Sequence, residues 1–583
     1  MNQKALPKGW RWTRLVDLVE MFDSGVWGDD LTDQDRGIPV IRVADINENN
    51  QILIDRAPCR RIHQPLLQTK LLHEGDILIV KSSGSHSKII SGRPAFVTGE
   101  MHQRCTFSNF LFRLRPKTNK IHPFYLFAFL TTSAVAEFVR SIVGTTTYPN
   151  IKPRDYVQLS IPLAPLPVQE RIVQILQKAD EIRRKRKEAL ELADKVLPAL
   201  FLEMFGDPAT NPKRWPIHWL GDVLQSCNSG VWGKQTSDES RGFYVLRSTN
   251  MPLDGRIDYS DVALIEIPDK KAQRYALQEG DILLNRSSGS PEHIGKVSLF
   301  RQKPEIHKPI LFSNFVQRLR VKPEVMTPEY LFFFLRSDFA RESLNKLHAT
   351  SSGLRNIQMK EYLAQEVPVP PLPLQQYFSQ VVILYEEVWK RRADTFQTSE
   401  TLFQTMLVQA FTGELTAEWE AANAGWIAAQ QTLYERLPRL LILALIAEKA
   451  KRARRSAEVL VTALMKYVFL FQMEGSASHR RLYHFVPYLY GPFAKELYID
   501  LEKLQEEGLV QVESNPEEDK MKITLTDQVR MEALLAELPE DLKEDAAAVI
   551  STYGDLDHNS LLEVVYEKYP AYAKKSRLRQ RRA

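Results

Sequence analysis

A run of matching segments at one fixed offset constrains this chain more than anything else in it. Ser24-Gly25-Val26-Trp27-Gly28 returns as Ser229-Gly230-Val231-Trp232-Gly233, 205 residues later. At the same offset Glu74-Gly75-Asp76-Ile77-Leu78 returns as Glu279-Gly280-Asp281-Ile282-Leu283, and Ser82-Ser83-Gly84-Ser85 as Ser287-Ser288-Gly289-Ser290. Phe107-Ser108-Asn109-Phe110 returns as Phe312-Ser313-Asn314-Phe315, and Tyr125-Leu126 as Tyr330-Leu331. One inserted residue later, Pro165-Leu166-Pro167 and Gln169 match Pro371-Leu372-Pro373 and Gln375. Chance does not hold a register that long, so the chain is a tandem duplication. The unit is too long for a solenoid repeat, and each copy is expected to be a domain with its own connector.

The remaining priors fit that reading. A chain of 583 residues exceeds the ~250–300 residues one core supports, so several domains are expected. With 44% apolar and 26% charged residues, a disordered or fibrous chain is excluded. Cys59, Cys105 and Cys227 form no CxxC pair, which argues against a disulfide scaffold or a cysteine zinc site and for a reducing compartment. The longest apolar run, residues 440–447, falls short of the ~20 needed to span a bilayer, and residues 1–12 hold no signal-peptide core. The expectation is a cytoplasmic protein with no membrane contact. Net charge is only +5, with basic clusters at 183–187, 449–455 and 574–582. Each cluster is either a solvated face or a contact.

Short apolar runs such as residues 77–80 and 282–284 read as buried strands. Residues 123–143 and 328–347 read as helices that begin near a proline. The expected fold class is mixed α/β. Two tandem mixed α/β domains are separated by two long antiparallel coiled-coil helices, and a mostly α, winged-helix-like extension follows. The boundaries are 1–165 and 207–371 for the domains, 166–206 and 372–416 for the helices, and 417–583 for the extension.

The helices carry a seam. Ile172, Ile175, Ala179, Ile182, Arg186, Ala189, Ala193, Val196 and Leu200 recur three and four apart, a coiled-coil spacing. A continuous helix over 168–205 would run about 57 Å at ~1.5 Å per residue. In the second copy the seam is Phe378, Val381, Tyr385, Val388, Arg392, Thr395, Ser399, Leu402 and Met406, with Arg392 where Arg186 stood. Proline-rich hinges at 162–167 and 368–373 set a stiff, non-helical lead-in.

Two similar domains on rigid rods suggest a ruler that reads two separated sites, and duplex DNA is periodic enough to be measured that way. Lys81 and Arg286 stand before the Ser-Ser-Gly-Ser loops, so Ser82, Ser83, Ser85 and Lys88 in one copy and Ser287, Ser288 and Ser290 in the other are candidate phosphate contacts. A plain strand-to-strand turn is the alternative. Arg42 and Arg247 occupy matching places and are candidates for guanine edges or phosphates. The later loops, 144–150 and 349–356, add Thr146, Tyr148, Ser352 and Arg355, with helix capping as the alternative.

The order of these elements resembles the specificity subunit of Type I restriction–modification systems. It comprises Pro7 to Trp10, Glu74 to Leu78, Phe107 to Phe110 and the Pro165 to Glu170 hinge, then Pro212 to Trp215, Glu279 to Leu283, Phe312 to Phe315 and Pro371 to Gln376. The second helix closes with Ala410-Phe411-Thr412-Gly413-Glu414-Leu415. The resemblance covers about residues 6–416. It implies two target recognition domains, each reading half of a bipartite double-stranded DNA site. It implies that the helices dock two adenine methyltransferase subunits, and that a restriction and translocation subunit completes the complex. S-adenosylmethionine would then belong to the partner and no cofactor to this chain.

No catalytic motif contradicts this. The chain has no Asn/Asp-Pro-Pro-aromatic motif and no Gly-rich cofactor loop, and its histidines lack metal-ligand spacing. The chain is therefore expected to be non-catalytic, as against a standalone methyltransferase or nuclease. Residues 417–583 have no counterpart in the repeat. Helical patterns at 433–448, 457–471 and 494–507, then apolar runs at 508–512 and 521–525, follow a winged-helix order. The Tyr490-Gly491-Pro492-Phe493 turn is loosely similar to the Panacea-type antitoxin domain. The extension is then a third DNA contact, a partner dock, a regulatory module or a packing extension, its basic tail from Lys574 pointing toward nucleic acid. This leaves a third reading of the chain, a scaffold or antitoxin-like regulator acting through the extension.

Overall fold

The computed structural model describes residues 5–31, 37–82, 89–143, 149–290, 292–301, 308–345, 355–452, 458–475, 482–489, 491–515 and 520–573. The chain divides into two units, residues 1–181 with 401–583, and residues 182–400.

In the first unit the strands Val19–Ser24, Leu111–Pro116, Ile77–Val80 and Pro94–Phe96 form an antiparallel sheet in that order. Every residue of Ile77–Val80 is buried, which explains a continuous apolar run where a half-exposed strand would alternate. Ile77 and Ile79 face a core shared with helices Pro123–Leu130 and Ser133–Ile142, while Leu78 and Val80 face a second core with Ile41 and Phe107. A smaller sheet, Cys59–Arg60, Ile38–Ile41 and Thr106–Phe107, closes that second core. Arg11–Arg14 pairs antiparallel with Ser160–Leu163, fastening the start of the domain to the strand before the hinge.

The second unit repeats the plan. Its four-stranded sheet runs Leu224–Ser229, Val316–Val321, Ile282–Asn285 and Val297–Leu299. Ile217–Trp219 pairs with Glu366–Pro368 as the closing ribbon. In both copies the single expected helix is two. Pro123–Leu130 and Ser133–Ile142 meet at 68°, and Pro328–Arg336 is followed by Asp338–Asn345. The break has a local cause: the Thr131, Thr132 and Ser337 hydroxyls donate back to the carbonyls of Ala128, Phe129 and Phe334, each at 2.7 Å, drawing off the last turn. Among the described residues no single helix is long and apolar enough to cross a membrane.

The recurring Gly-Asp-Ile-Leu segment is explained by a buried ion pair. Arg115 donates twice to Asp76, both at 2.7 Å, and Arg320 donates twice to Asp281, both at 2.7 Å. Each carboxylate also accepts a backbone N–H, from His73 and from Gln278, at 2.8 Å. Arg113, fully buried, donates to Asp23 at 3.0 and 2.8 Å. Its counterpart Arg318 meets the amide of Asn228 at 3.1 Å instead. None of these pairings was visible in the spacing.

The first connector is not one helix but two, Leu166–Ala193 and Val196–Phe205. Pro198 explains the break, because its ring conflicts with the carbonyl four residues back, at Asp194, and it offers no N–H. The second copy has Gln404 at the corresponding place and runs unbroken as Leu372–Thr412. Within the second unit the helices run antiparallel. Arg183 pairs with Glu400 at 3.3 Å, Arg186 donates to the Thr395 carbonyl at 3.5 Å, and the Tyr385 hydroxyl donates to the Ala193 carbonyl at 2.8 Å. The expected seam is only partly sealed. Ile172 and Phe378 are buried and Ile175, Leu200, Val381, Tyr385 and Met406 partly so, but Ile182, Val196, Val388 and Leu402 are exposed. The buried stripe is set by the domain cores, which take Leu176, Leu197, Phe201, Val382, Leu407 and Phe411.

After Thr412 the chain returns to the first domain. Trp10 donates its indole N–H to Glu420 at 3.1 Å, Gln431 accepts from the Leu166 N–H at 3.0 Å, and Trp419 and Ile427 join the first domain's core. The extension's own core begins near Leu433, midway along Ala424–Arg452, later than the boundary expected at 417. It gathers helices Val461–Glu474, Lys495–Glu506, Gln528–Leu535, Glu540–Tyr553 and His558–Lys568. A three-stranded sheet orders Val459–Leu460, Lys520–Leu525 and Val510–Asn515, the last two as the expected hairpin. The extension also touches the first domain where His484 Nδ1 lies 3.2 Å from Glu20.

Two outcomes are expected. Asp76→Ala leaves Arg115 charged and buried without its acceptor, so urea unfolding should report a loss of about 3–5 kcal/mol. A shift under 1 kcal/mol would mean that the pair is not what holds the sheet. The hydrogen bond to Glu20 raises the His484 pKa. A raised folded value stabilises the contact fully below the unfolded value of about 6.5, and that stabilisation is lost as pH climbs through the folded value. Hydrogen exchange in Gln64–Lys70, which packs on the Pro570–Ala573 turn of the extension, should quicken on that rise. His484→Gln should flatten the dependence.

Candidate nucleic-acid interface

The two loop classes singled out in each copy are joined by backbone pairing. Ser82 bridges to Asn150, and the Ile151 N–H donates to the Lys81 carbonyl at 3.0 Å. In the second copy Ser287–Ser288 forms a short antiparallel ladder with Arg355–Asn356, and the Ile357 N–H donates to the Arg286 carbonyl at 3.0 Å. Each buried central strand thus runs out into a basic residue and a serine whose backbone pairs with the later segment. The Ser287 hydroxyl donates to Asn356 Oδ1, so that serine is a fastener, while Ser288 accepts from the Ser290 N–H at 3.1 Å. Ser83, Ser85, Lys88, Thr146, Tyr148 and Ser352 lie outside the described residues, and of Arg355 the backbone alone is described.

The cations divide into two kinds. Lys81 places its ammonium 5.3 Å from the centre of the Phe112 ring, and the Arg286 guanidinium has no hydrogen-bond or ion-pair partner among the described residues. Both remain available to an anion. Arg42 and Arg247 do not. Arg42 donates to Asp45 at 3.0 and 2.9 Å and to the Arg56 carbonyl at 3.1 Å. Arg247 donates to the Asp261 carboxylate and carbonyl at 2.8 and 2.7 Å. Each fastens a 3₁₀ turn, so both guanidinium groups, offered by the sequence as readers of guanine edges or phosphates, are engaged within their own domain. A charged group held by several fixed acceptors is costly to redirect.

The other repeated motifs explain themselves as supports of this edge. A methyl group at Gly25 would fall 2.0 Å from the Phe107 carbonyl oxygen, and at Gly230 it would fall 2.1 Å from that of Phe312. The Ser24 and Ser229 hydroxyls donate to the carbonyls of Asn109 and Asn314 at 3.3 and 3.0 Å. The Lys81 and Arg286 N–H groups donate to the carbonyls of Phe110 and Phe315 at 2.9 and 3.0 Å. Phe110 and Phe315 were missed as candidates because an apolar residue inside a strand-like run reads as core, and only the fold shows the first phenylalanine of each quartet buried and the second exposed. Among the described residues no group of three or more His, Cys, Asp or Glu side chains is placed to hold a metal. Gly25→Ala or Gly230→Ala should cost about 1–3 kcal/mol as an overpacked contact, read by chemical unfolding. A neutral effect would show that the turn yields.

Comparison with known proteins now adds the family. Residues 7–192 and 212–382 each match the Type I restriction modification DNA specificity domain. The chain is similar to the Type I restriction enzyme EcoKI specificity subunit of Escherichia coli, 26% identical over 61% of this chain and 78% of that one. It is likewise similar to the StySPI specificity subunit of Salmonella potsdam, 24% identical over 78% of this chain and 100% of that one. A crystal structure of the Type I S subunit from M. genitalium is 12% identical and covers 70% of this chain and 98% of that one, with a TM-score of 0.44. The two family matches coincide with the two copies of the duplication, each holding one complete sheet with its closing ribbon. The chain belongs to the Type I restriction modification DNA specificity family and is the non-catalytic DNA specificity subunit of such a system.

Proposed function

We propose that residues 1–165 and 207–371 each read one half of a gapped double-stranded DNA target. The edge formed by Lys81 with Ser82 serves one half, and the edge formed by Arg286 with Ser288 serves the other. The observation that carries this reading is the equivalence of the two edges: a cation followed by a serine whose backbone pairs with the later segment stands at the end of the same buried strand in both copies. Phosphate contacts of this kind position a protein on duplex DNA, while base edges supply the sequence.

The long helices dock two modification subunits that bring S-adenosylmethionine, and a restriction and translocation subunit joins them. The exposed Ile182, Val196, Val388 and Leu402 support this, because apolar side chains spaced along a helix and left in water suit a partner surface. The extension, in winged-helix order, serves protein contact rather than a third DNA contact. Residues 417–583 carry 26 acidic and 23 basic side chains, six of the basic ones in the tail at 574–582, and the helix before the hairpin, Lys495–Glu506, holds four acids and two lysines. A duplex would repel that face.

The test is selection from a random-duplex library with this chain assembled with its modification subunit. Two short motifs at one fixed gap are expected. Replacing residues 1–165 with another recognition domain should change one motif and keep the other. A change in both, or a site without a gap, overturns the reading.

A further inference from the structure

Phe110 and Phe315 are 56% and 51% exposed, at the same position of the two copies, while Phe107 and Phe312 three residues earlier are fully buried. Burying a phenylalanine stabilises a fold by about 1.5–3 kcal/mol, and each domain forgoes this at the same place. The exposed rings do not stand on loose chain. Around each, the backbone closes a tight turn, Leu111 N–H to the Ser108 carbonyl at 3.0 Å and Val316 N–H to the Ser313 carbonyl at 2.9 Å. The phenylalanine's own carbonyl accepts from Lys81 or Arg286, and the preceding asparagine's carbonyl from Ser24 or Ser229. The close approach at Gly25 and Gly230 seals the turn from beneath.

The neighbours supply the rest of the chemistry. One backbone hydrogen bond away stands a cation without an ionic partner among the described residues, and the exposed Asn109 or Asn314 is adjacent in the chain. The positive charge of the protein also lies on this side of the sequence, since residues 1–416 carry 54 basic and 46 acidic side chains, whereas residues 417–583 carry 23 basic and 26 acidic. A rigidly mounted ring between a cation and an amide matches the apolar wedge that proteins place against base steps, where the ring stacks on or parts two bases while cations hold the adjoining phosphates.

We propose that Phe110 and Phe315 are such wedges, each set against one base step of its own half-site and contributing to which steps that half tolerates. This rests on the two-half reading above and deepens it. Steps differ in how easily they unstack, pyrimidine–purine steps being the softest. A wedge would therefore discriminate through deformability as well as contact.

The test uses the full chain with its modification subunit and no methyl donor, on the selected duplex, with 2-aminopurine placed in turn at each position other than the methylated adenines. Wild-type complex should show raised fluorescence at one step in each half. Phe110→Ala should remove the signal in the half read by residues 1–165 alone and weaken binding about 5- to 150-fold. Phe315→Ala should do the same for the other half, and Phe110→Trp should restore both readouts. Unchanged fluorescence and affinity in both alanine variants, with the gapped site still selected, overturns the wedge and leaves the two-half reading standing. Loss of the modification subunit from either alanine variant, with step fluorescence kept, marks the rings as a protein surface and also overturns it. If the wild-type complex selects no gapped site, both readings fall together.

Discussion

A buried amide at the root of each long helix joins recognition domain to rod. Gln169 accepts from the His122 N–H at 2.8 Å and donates to the carbonyls of Lys120 and Ala164 at 3.1 and 2.8 Å. Gln375 repeats this with Thr327, Val325 and Pro370 at 3.0, 3.3 and 2.7 Å. Both side chains are fully buried, so each hydrogen bond is made in low dielectric and an unmet one would be costly. Tyr125 and Tyr330 add a hydroxyl to the hinge carbonyls of Pro162 and Pro368. The helix thus leaves each domain at an angle fixed by three polar contacts and a stiff proline lead-in, which any reader of two sites at a set gap requires.

The same logic organises the recognition edges. Motifs that recur twice turn out to be supports: the Gly-Asp pair anchors a buried arginine, the Ser-Gly of Ser24-Gly25 braces the turn of the exposed ring, and the arginines at 42 and 247 cap turns. Among the described residues, Phe110 and Phe315 face outward there and are held from behind. A site built on rigid elements with its backbone fully bonded keeps its side chains where a ligand meets them.

The copies are not equal. Arg113 meets a carboxylate in the first domain where Arg318 meets an amide in the second, and the first connector breaks at Pro198 where the second runs through. The first domain also receives the chain's return, with Trp419, Ile427 and His484 packed on it. An acidic module fastened to one recognition domain makes the protein asymmetric beyond its sequence differences.

Much of this was legible in the residues. The offset of matching segments established the duplication, and the apolar strands and hinges were legible beside it, because those features depend on local spacing and on order along the chain; the order of the elements carried the resemblance to the family. The broken first helix was legible too, in Pro198, and was passed over because the apolar recurrence continued through it. What the sequence could not reveal was which side of a motif faces water. Phe107 and Phe110 are the same residue type three positions apart, and the sheet alone decides that one is core and the other exposed. Arg42 and Lys81 are both cations after strands, yet one is spent on Asp45 and the other is available. Spacing along a chain settles which elements form, whereas burial and pairing depend on neighbours that only folding brings within hydrogen-bond reach, 39 residues away for Arg115 and Asp76 and 90 for Arg113 and Asp23.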